Sequence, residues 1–270
     1  MSSARDQASP QDRLLPMKGI HNFRDFGGYG ARGGKLRRGM LWRSGQHCDA
    51  SPDDLALVHR VGIRTVIDLR GDSERASYPC LRHDAFGGEV LFHPGETSGG
   101  HGKAVHEHAA FNVRTAQEAH GAMLRIYTTL PFQPVLVGTY RLYMQALAER
   151  DSPSLLHCLA GKDRTGVGAA LVHKLLGVHH DDIADDYLLT NTAGDPEARI
   201  AAGAQHVRAG FGPTMEDAAL RVLMGVDAAF LDRSFGTMTE RHGSVEAYAR
   251  DVLGVTPQMV EAMEQRLVEA

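Results

Sequence analysis

The stretch that most restricts the fold lies near the middle of the chain, where an apolar segment, a short loop and an apolar helix pattern follow one another. PSLLHC (153–158) predicts a short buried strand. TGVGAALVHKLLGV (165–178) predicts a helix, because Val167 and Leu171 share one face and Gly177 marks the end. A strand, a tight loop and a helix in this order indicate an α/β protein.

The same alternation recurs before this stretch. SPDDLALVHRVG predicts a helix with Ser51 as N-cap, Pro52 at the first helical position and Gly62 at its end. Glycine pairs at 27–28 and 33–34 indicate a turn or hairpin. Further predicted strands are LWRS (41–44), IRTVIDLR (63–70) and EVLFHP (89–94), and further predicted helices are residues 138–150, 243–254 and 255–269.

Two polar regions fall outside this pattern. Residues 1–17 indicate a flexible tail, followed by a single domain over 18–270. Residues 95–122 are weakly patterned and predict a lid, a mobile loop or a short helical insertion.

Composition excludes several classes of protein. Of 270 residues, 43% are hydrophobic, and the formal net charge of −4 gives no basic field for nucleic acid. The apolar runs are too short to span a bilayer, and the N-terminus has no apolar signal segment. Three cysteines are too few for a disulfide framework. We expect a cytoplasmic protein, or one exported without a cleaved signal peptide.

The central loop, HCLAGKDRTG (157–166), first suggests nucleotide binding. A Walker loop needs a hydroxyl residue directly after its lysine and a glycine five positions before the GK pair. Here Asp163 follows Lys162, and Leu156 occupies the glycine position. The sequence therefore does not favour an ATP-binding loop.

The hypothesis of a reactive cysteine in an anion-binding loop fits the residues better. Cys158 ends the strand, Arg164 follows six positions later, and a helix is expected from about Thr165. The amides of such a loop and the helix N-terminus can surround an anion, and the arginine fork binds two of its oxygens. The same groups favour the thiolate of Cys158. The residues expected to bind the phosphate or the substrate are Leu159, Ala160, Gly161, Lys162, Thr165 and Gly166.

The expected chemistry is in-line attack on a phosphomonoester, a cysteinyl-phosphate intermediate, and hydrolysis by water. It needs no metal and no cofactor. Thr165 can donate to the departing thiolate, Gly166 packs the helix start against the sheet, and His157 orients the loop through backbone hydrogen bonds. Three alternatives stay open: a buried core cysteine beside an ordinary turn, a silent phosphate-binding module, and sulfur transfer or arsenate reduction on a similar loop.

At these residues the chain resembles the cysteine-dependent tyrosine phosphatase superfamily, and within it a bacterial group with mycobacterial and listerial members. The resemblance extends over nearly the whole chain from about residue 18, in the segments NFRDFGGY (22–29), LWRSGQ (41–46), VGIRTVIDLRGDSE (61–74), HCLAGKDRTG and DDYLLTN (185–191). It implies a mainly parallel central sheet flanked by helices, with an added helical lid within 195–235. It also implies tyrosine or dual-specificity phosphatase activity, with phosphoinositides as alternative substrates.

The resemblance draws attention to Lys162 and Asp163. Lys162 is expected at the pocket rim, where its charge suits substrates with several phosphates. Asp163 is expected to protonate the leaving oxygen, because the only tryptophan, Trp42, lies outside any WPD loop. Glu96, Asp72 and Asp68 remain alternative acids.

Several other residues have two readings. Asp68 and Arg70 lie at the end of one predicted strand, and Arg43 and Ser44 lie at the end of another. Each pair either braces the phosphate loop or forms an ordinary surface pair. Asn22, Arg24 and Asp25 are expected to form structural hydrogen bonds. The irregular spacing of three histidines favours a solvated loop over a metal site. These are His101, His106 and His108. Cys48 and Cys80 are expected to be plain thiols, either of which could pair with Cys158 on oxidation.

Overall fold

The computed structural model describes residues 10–97, 113–198, 200–201, 203–204 and 214–270. Its centre is a five-stranded sheet in the order β1-β4-β7-β5-β6. Strands β4, β7, β5 and β6 run parallel, and β1 pairs antiparallel with β4. The strands are β1 (Arg24–Asp25), β4 (Leu41–Ser44), β5 (Thr65–Asp68), β6 (Glu89–Leu91) and β7 (Ser154–His157). The expected mainly parallel sheet is confirmed.

The register of the inner strands brings three chain segments to one edge of the sheet. Ser44 of β4 and Asp68 of β5 both lie opposite His157, the last residue of β7. In an open α/β sheet, ligands bind outside the carboxyl ends of the strands. The register therefore places the 158–164 loop at the edge where a site is expected.

Ten helices surround this sheet within the described residues. They are α1 (Pro52–Val61), α2 (Asp72–Ser77), α3 (Ala116–Thr129), α4 (Pro134–Glu149), α5 (Asp163–Leu175), α6 (His180–Leu188), α7 (Asp217–Met224), α8 (Ala228–His242), α9 (Val245–Asp251) and α10 (Pro257–Leu267). Short 3-10 turns occupy Pro10–Arg13, Leu130–Phe132 and Leu189–Asn191. None of these helices is long and apolar enough to cross a bilayer.

The sequence signals explain where helices begin and end. The Ser51 side chain accepts from the Asp54 amide, Pro52 opens α1, and Gly62 ends it in the left-handed conformation with φ 79°. The central helix α5 begins at Asp163, two residues before the expected Thr165. Arg164 therefore lies in the first helical turn, where backbone amides have no intrahelical partners.

The N-terminal expectation is partly wrong. Residues 1–9 lie outside the described residues, but Arg13, Leu15 and Met17 pack on the domain. The buried Arg13 guanidinium donates to the Gly27 carbonyl and lies over the Tyr29 ring, 3.8 Å from its centroid. The predicted hairpin is present as β2 (Gly30–Ala31) and β3 (Gly34–Leu36), and β3 also pairs with β8 (Val268–Glu269).

A second, smaller core lies beside the main one. It forms where α7 packs against α3, around Ala119, Ala122 and Leu220. Helix α7 and the first part of α8 fall within the predicted lid region, 195–235, whereas residues 205–213 lie outside the described residues. Of the segment 95–122, residues from 116 onward belong to α3. The three histidines at 101, 106 and 108 lie outside the described residues.

Candidate active site

Cys158 lies directly after β7 and is only 2% exposed. The phosphate loop, residues 158–164, then carries the chain from the sheet edge into α5. The amides of residues 159–162 donate to no other group within the part of the chain that the structure describes. Buried backbone amides are almost always paired. These four donors are therefore available to an anion bound at the loop.

Gly161 gives the loop its shape. Its φ of +66° lies in the left-handed region, and a Cβ there would overlap the backbone of Ser44 and Gly45. Its carbonyl accepts from Asn22 Nδ2 at 2.7 Å and from Arg43 Nη2 at 3.2 Å. The Gly161 backbone packs closely against Ser44 and Gly45, and Arg43 is a buried brace of the loop and not half of a surface pair.

Arg164 is held by a residue that the sequence did not single out. Glu74 of α2 grips both terminal nitrogens of the guanidinium, at 2.5 Å (Nη1) and 2.8 Å (Nη2). Nη1 also donates to Thr97 Oγ1 at 3.2 Å and to the Leu69 carbonyl at 3.3 Å. Nε forms no hydrogen bond among the described residues, and Nη2 keeps a second hydrogen. The Nε–Nη2 edge therefore remains able to bind two oxygens.

Burial and charge have opposite effects on the pKa values of Glu74 and Arg164. Burial would raise the pKa of Glu74, but the Arg164 guanidinium lowers it to about 2. Burial would also lower the pKa of Arg164, but Glu74 and the nearby Cys158 raise it above its usual range. Both groups are thus charged at neutral pH. Glu74 lies in the segment VGIRTVIDLRGDSE, after the end of β5. An acidic residue that follows a strand end is the signal by which the sequence could have indicated its role.

Asp68 and Arg70 form a second buried pair. Two hydrogen bonds of 2.9 and 2.8 Å join their side chains, so the alternative of a surface ion pair is wrong. Burial would raise the pKa of Asp68, but His157 and Arg70 hold it well below its usual range. A carboxylate held in this way is a poor proton donor, which argues against Asp68 as the general acid.

His157 makes a backbone hydrogen bond, as expected, and its ring is buried. Within the described residues neither ring nitrogen has a hydrogen-bond partner, and Nε2 lies 3.7 Å from Asp68 Oδ2. Its backbone carbonyl, rather than its side chain, accepts from the Leu69 amide at 2.9 Å. Burial lowers the pKa of His157 to about 4, so the ring is neutral at pH 7.

Asp163 is buried beneath α3 and α6. Its Oδ1 accepts from the Tyr127 hydroxyl at 2.7 Å, and that hydroxyl lies 2.6 Å from the Tyr187 hydroxyl. Lys162 Nζ is 3.4 Å from the same oxygen. These contacts fix the carboxylate beside Arg164, in a position that the sequence could not specify because Tyr127 and Tyr187 are remote in the chain.

The sequence predicts Lys162 at the pocket rim, but the structure does not place it there. Its side chain is 6% exposed, and Nζ donates at 2.5 Å to the Leu223 carbonyl in the last turn of α7. The lysine therefore fastens α7 to the phosphate loop. Its charge is already engaged by that carbonyl and by Asp163.

The other proposed acids have structural partners. Glu96 is exposed and accepts from the Ser73 amide and hydroxyl at 2.9 and 2.8 Å. Asp72 accepts from the Gly95 amide at 2.8 Å and pairs with Arg75. These contacts join the start of α2 to the turn at 95–97, and thereby place Glu74 and Thr97 against Arg164.

The remaining predicted residues lie around the loop. The buried Thr165 hydroxyl has no partner among the described residues. A Cβ on Gly166 would lie 2.7 Å from the Tyr187 ring, so the close packing is against α6. Cys48 and Cys80 are half-buried free thiols. No cluster of three or more His, Cys, Asp or Glu side chains within the described residues is arranged to hold a metal.

A thiol at the start of a loop with unengaged amides, followed by a fixed guanidinium, can attack a phosphorus atom and hold the charge that develops. These features define the class of cysteine-dependent phosphatases. Comparison with family models agrees, since the model described as the tyrosine phosphatase family matches residues 15–269. The chain belongs to this family, and it is a phosphoric monoester hydrolase.

Two relatives resemble the chain over most of its length. A Cupriavidus necator protein described as a tyrosine-protein phosphatase is 33% identical, over 92% of this chain and 87% of that protein. The Mycobacterium tuberculosis triple specificity protein phosphatase PtpB is 29% identical, over 93% of this chain and 97% of PtpB. Among solved structures, Pseudomonas aeruginosa TpbA is 22% identical with a TM-score of 0.30, over 69% of this chain and 86% of TpbA.

Proposed function

We propose that this protein dephosphorylates phosphotyrosine in proteins, with Cys158 as nucleophile and Arg164 as the phosphate-binding fork. The observation that carries the proposal is that the two edges of the Arg164 guanidinium have different roles. Glu74 occupies its Nη1–Nη2 end, and the Nε–Nη2 edge retains two donors. Two equatorial phosphate oxygens fit that edge, and the amides of residues 159–162 serve the others.

The reaction proceeds in two displacements. Cys158 Sγ attacks phosphorus, the bond from phosphorus to the tyrosyl oxygen breaks, and that oxygen takes a proton from Asp163. Water then attacks the cysteinyl phosphate and gives a proton to the Asp163 carboxylate, the S–P bond breaks, and Thr165 donates a hydrogen bond to the departing thiolate. The positive charge of Arg164 and the loop amides stabilises the equatorial oxygens in both steps.

Asp163 is the preferred acid because its carboxylate is held close to the Arg164 guanidinium, whereas the three alternatives are engaged elsewhere. Asp68 is held as an anion by Arg70, while Glu96 and Asp72 bind the backbone of the turn at 95–97 and the start of α2. Asp163→Asn should slow phenyl phosphate far more than p-nitrophenyl phosphate, because the better leaving group needs no proton. Equal slowing of both substrates would remove Asp163 from this role.

The proposal is tested with p-nitrophenyl phosphate in the presence of a metal chelator. Wild type should hydrolyse it, and Cys158→Ser should lose at least about 10³-fold in kcat. Thr139→Val is a matched control, because Thr139 is a buried hydroxyl in α4 that contacts His93 and Val135. Inactive wild type that still binds phosphate would identify a silent phosphate-binding module. Dependence on an added thiol would identify sulfur transfer or arsenate reduction.

Phosphoinositides are a second candidate substrate class, because the resemblance of the sequence also implies them. The buried Lys162 argues for phosphotyrosine, since its charge is engaged by Leu223 and Asp163. Rates on phosphotyrosine peptides and on phosphoinositide vesicles, measured side by side, separate the two. A higher kcat/KM on vesicles would replace the phosphotyrosine assignment.

A further inference from the structure

Both hydrogen bonds to the Gly161 carbonyl lead back to a single carboxylate. Arg43, which donates to that carbonyl, also donates from Nη1 to Asp186 Oδ2 at 2.8 Å. Asn22, the other donor, has its own Oδ1 held by Arg24. Arg24 in turn donates from Nε to Asp186 Oδ1 at 3.2 Å and from Nη2 to the Asp186 carbonyl at 2.7 Å.

This arrangement is wholly buried. The side chains of Arg24 and Arg43 are fully buried and that of Asp186 is 2% exposed. Burial would raise the pKa of Asp186, but the two arginines hold it well below its usual range. Burial and the neighbouring Arg43 lower the pKa of Arg24 to about 10, so Arg24 and Asp186 are both charged at neutral pH. Two buried arginines without this carboxylate would be strongly unfavourable.

The orientation of the Gly161 carbonyl decides where the next amide points. In a planar trans peptide the C=O of one residue and the N–H of the next are antiparallel. Because Asn22 and Arg43 draw the Gly161 oxygen to one side, the Lys162 amide points to the other. A rotated peptide would instead present a carbonyl oxygen to the phosphate, where its partial negative charge repels the substrate.

We infer that Asp186 is a positioning residue for phosphate binding, which acts through Arg43 and through the Arg24–Asn22 pair to hold the Lys162 amide toward the substrate phosphate. The inference rests on the proposed function of the phosphate loop. Asp186 lies in α6, within the segment DDYLLTN, and does not itself contact the loop in any hydrogen bond that the structure describes. Its effect on catalysis therefore passes through the Gly161 peptide.

Vanadate, a phosphate analogue, is the probe. Asn22→Gly removes one donor and retains a residue that tolerates the φ of 57° at this position. Arg43→Lys keeps the charge beside Asp186 but removes the fork that also reaches Gly161. Each variant should weaken competitive inhibition by vanadate about tenfold. Thr139→Val, which loses a buried hydrogen bond elsewhere, should leave this inhibition unchanged.

A mutant cycle then tests Asp186. Asp186→Glu preserves the charge while shifting the carboxylate by one methylene, so this variant can fold where Asp186→Asn does not. It should weaken vanadate inhibition in the wild-type background but have no further effect in the Asn22→Gly/Arg43→Lys background. An equal effect in both backgrounds, or unchanged inhibition in the single variants, would overturn the inference.

The amide NMR signal of Lys162 gives a readout that a merely structural role would not move. Added phosphate should shift this signal in wild type and shift it much less in Asn22→Gly. Equal shifts in both proteins would refute the role of the Gly161 peptide. If wild type neither hydrolyses p-nitrophenyl phosphate nor binds vanadate, the proposed function itself fails.

Discussion

Replacing Glu74 by glutamine tests the electrostatic support of the phosphate-binding arginine. Glutamine has nearly the size of glutamate and mimics its protonated form, so the change removes charge without opening a cavity. Glu74 is engaged by two nitrogens of Arg164, by the Gly71 amide and by the Thr97 hydroxyl. Its side chain is 13% exposed, so solvent screens the pair only weakly.

The magnitude follows from the carboxyl group, because arginine stays protonated at every accessible pH. The pKa of Glu74 is lowered from 4.5 to about 2. At about 1.4 kcal/mol per pH unit, the charged carboxylate adds about 3 kcal/mol to the free energy of unfolding. Because the folded pKa is the lower one, this stabilisation is complete above pH 4.5 and is lost as the pH falls toward 2. At pH 3 about 1.4 kcal/mol remains.

Urea unfolding of wild type and Glu74→Gln at pH 7 and pH 3 measures this difference. The variant should be less stable by about 3 kcal/mol at pH 7, and by about half of that at pH 3. Glu89→Gln, which removes an exposed pair with Arg150, should cost less than about 1 kcal/mol at both pH values. The kcat/KM of Glu74→Gln should fall at least tenfold, because the guanidinium loses its orientation. Unchanged stability at pH 7, or a difference independent of pH, would refute the reasoning.

Three other changes probe the surroundings of the loop. Lys162→Met removes the bond to Leu223 and should speed amide hydrogen exchange in α7 about tenfold, whereas unchanged exchange would show that the lysine does not fasten this helix. Tyr127→Phe removes a donor that favours the Asp163 anion, so the alkaline limb of the kcat/KM profile should move to higher pH; an unmoved limb contradicts the assignment of Asp163. Burial lowers the pKa of His157 from 6.5 to about 4, so unfolded chains bind the extra proton and wild-type stability should fall between pH 6.5 and 4. His157→Gln should flatten that dependence in urea titrations, and an unaltered slope would contradict it.

The sequence predicted those features that depend on local signals. Ser51, Pro52 and Gly62 set the bounds of α1, and the cysteine and arginine six positions apart located the loop. The charged partners that hold the loop depend on long-range contacts, which a sequence pattern does not contain. Glu74 lies 90 positions from Arg164, and Asp186 lies 143 positions from Arg43.

The burial of two site residues was not predicted, for a related physical reason. Lys162 and His157 are polar residues beside a catalytic motif, and exposure or backbone hydrogen bonding was the simplest expectation for them. Lys162 is buried because α7 offers it the Leu223 carbonyl, an acceptor left unpaired at a helix C-terminus. His157 is buried as a neutral ring beside Asp68. Neither environment can be read from neighbouring residues in the chain.

The central claim is that phosphate passes through Cys158. Acid quenching of wild type during turnover of radiolabelled substrate, followed by peptide mapping, tests it directly. If Cys158 accepts the phosphate, we expect acid-stable label on the peptide that contains Cys158, and no label on the Cys158→Ala variant. Label on another residue, or undiminished turnover by the alanine variant, would contradict it.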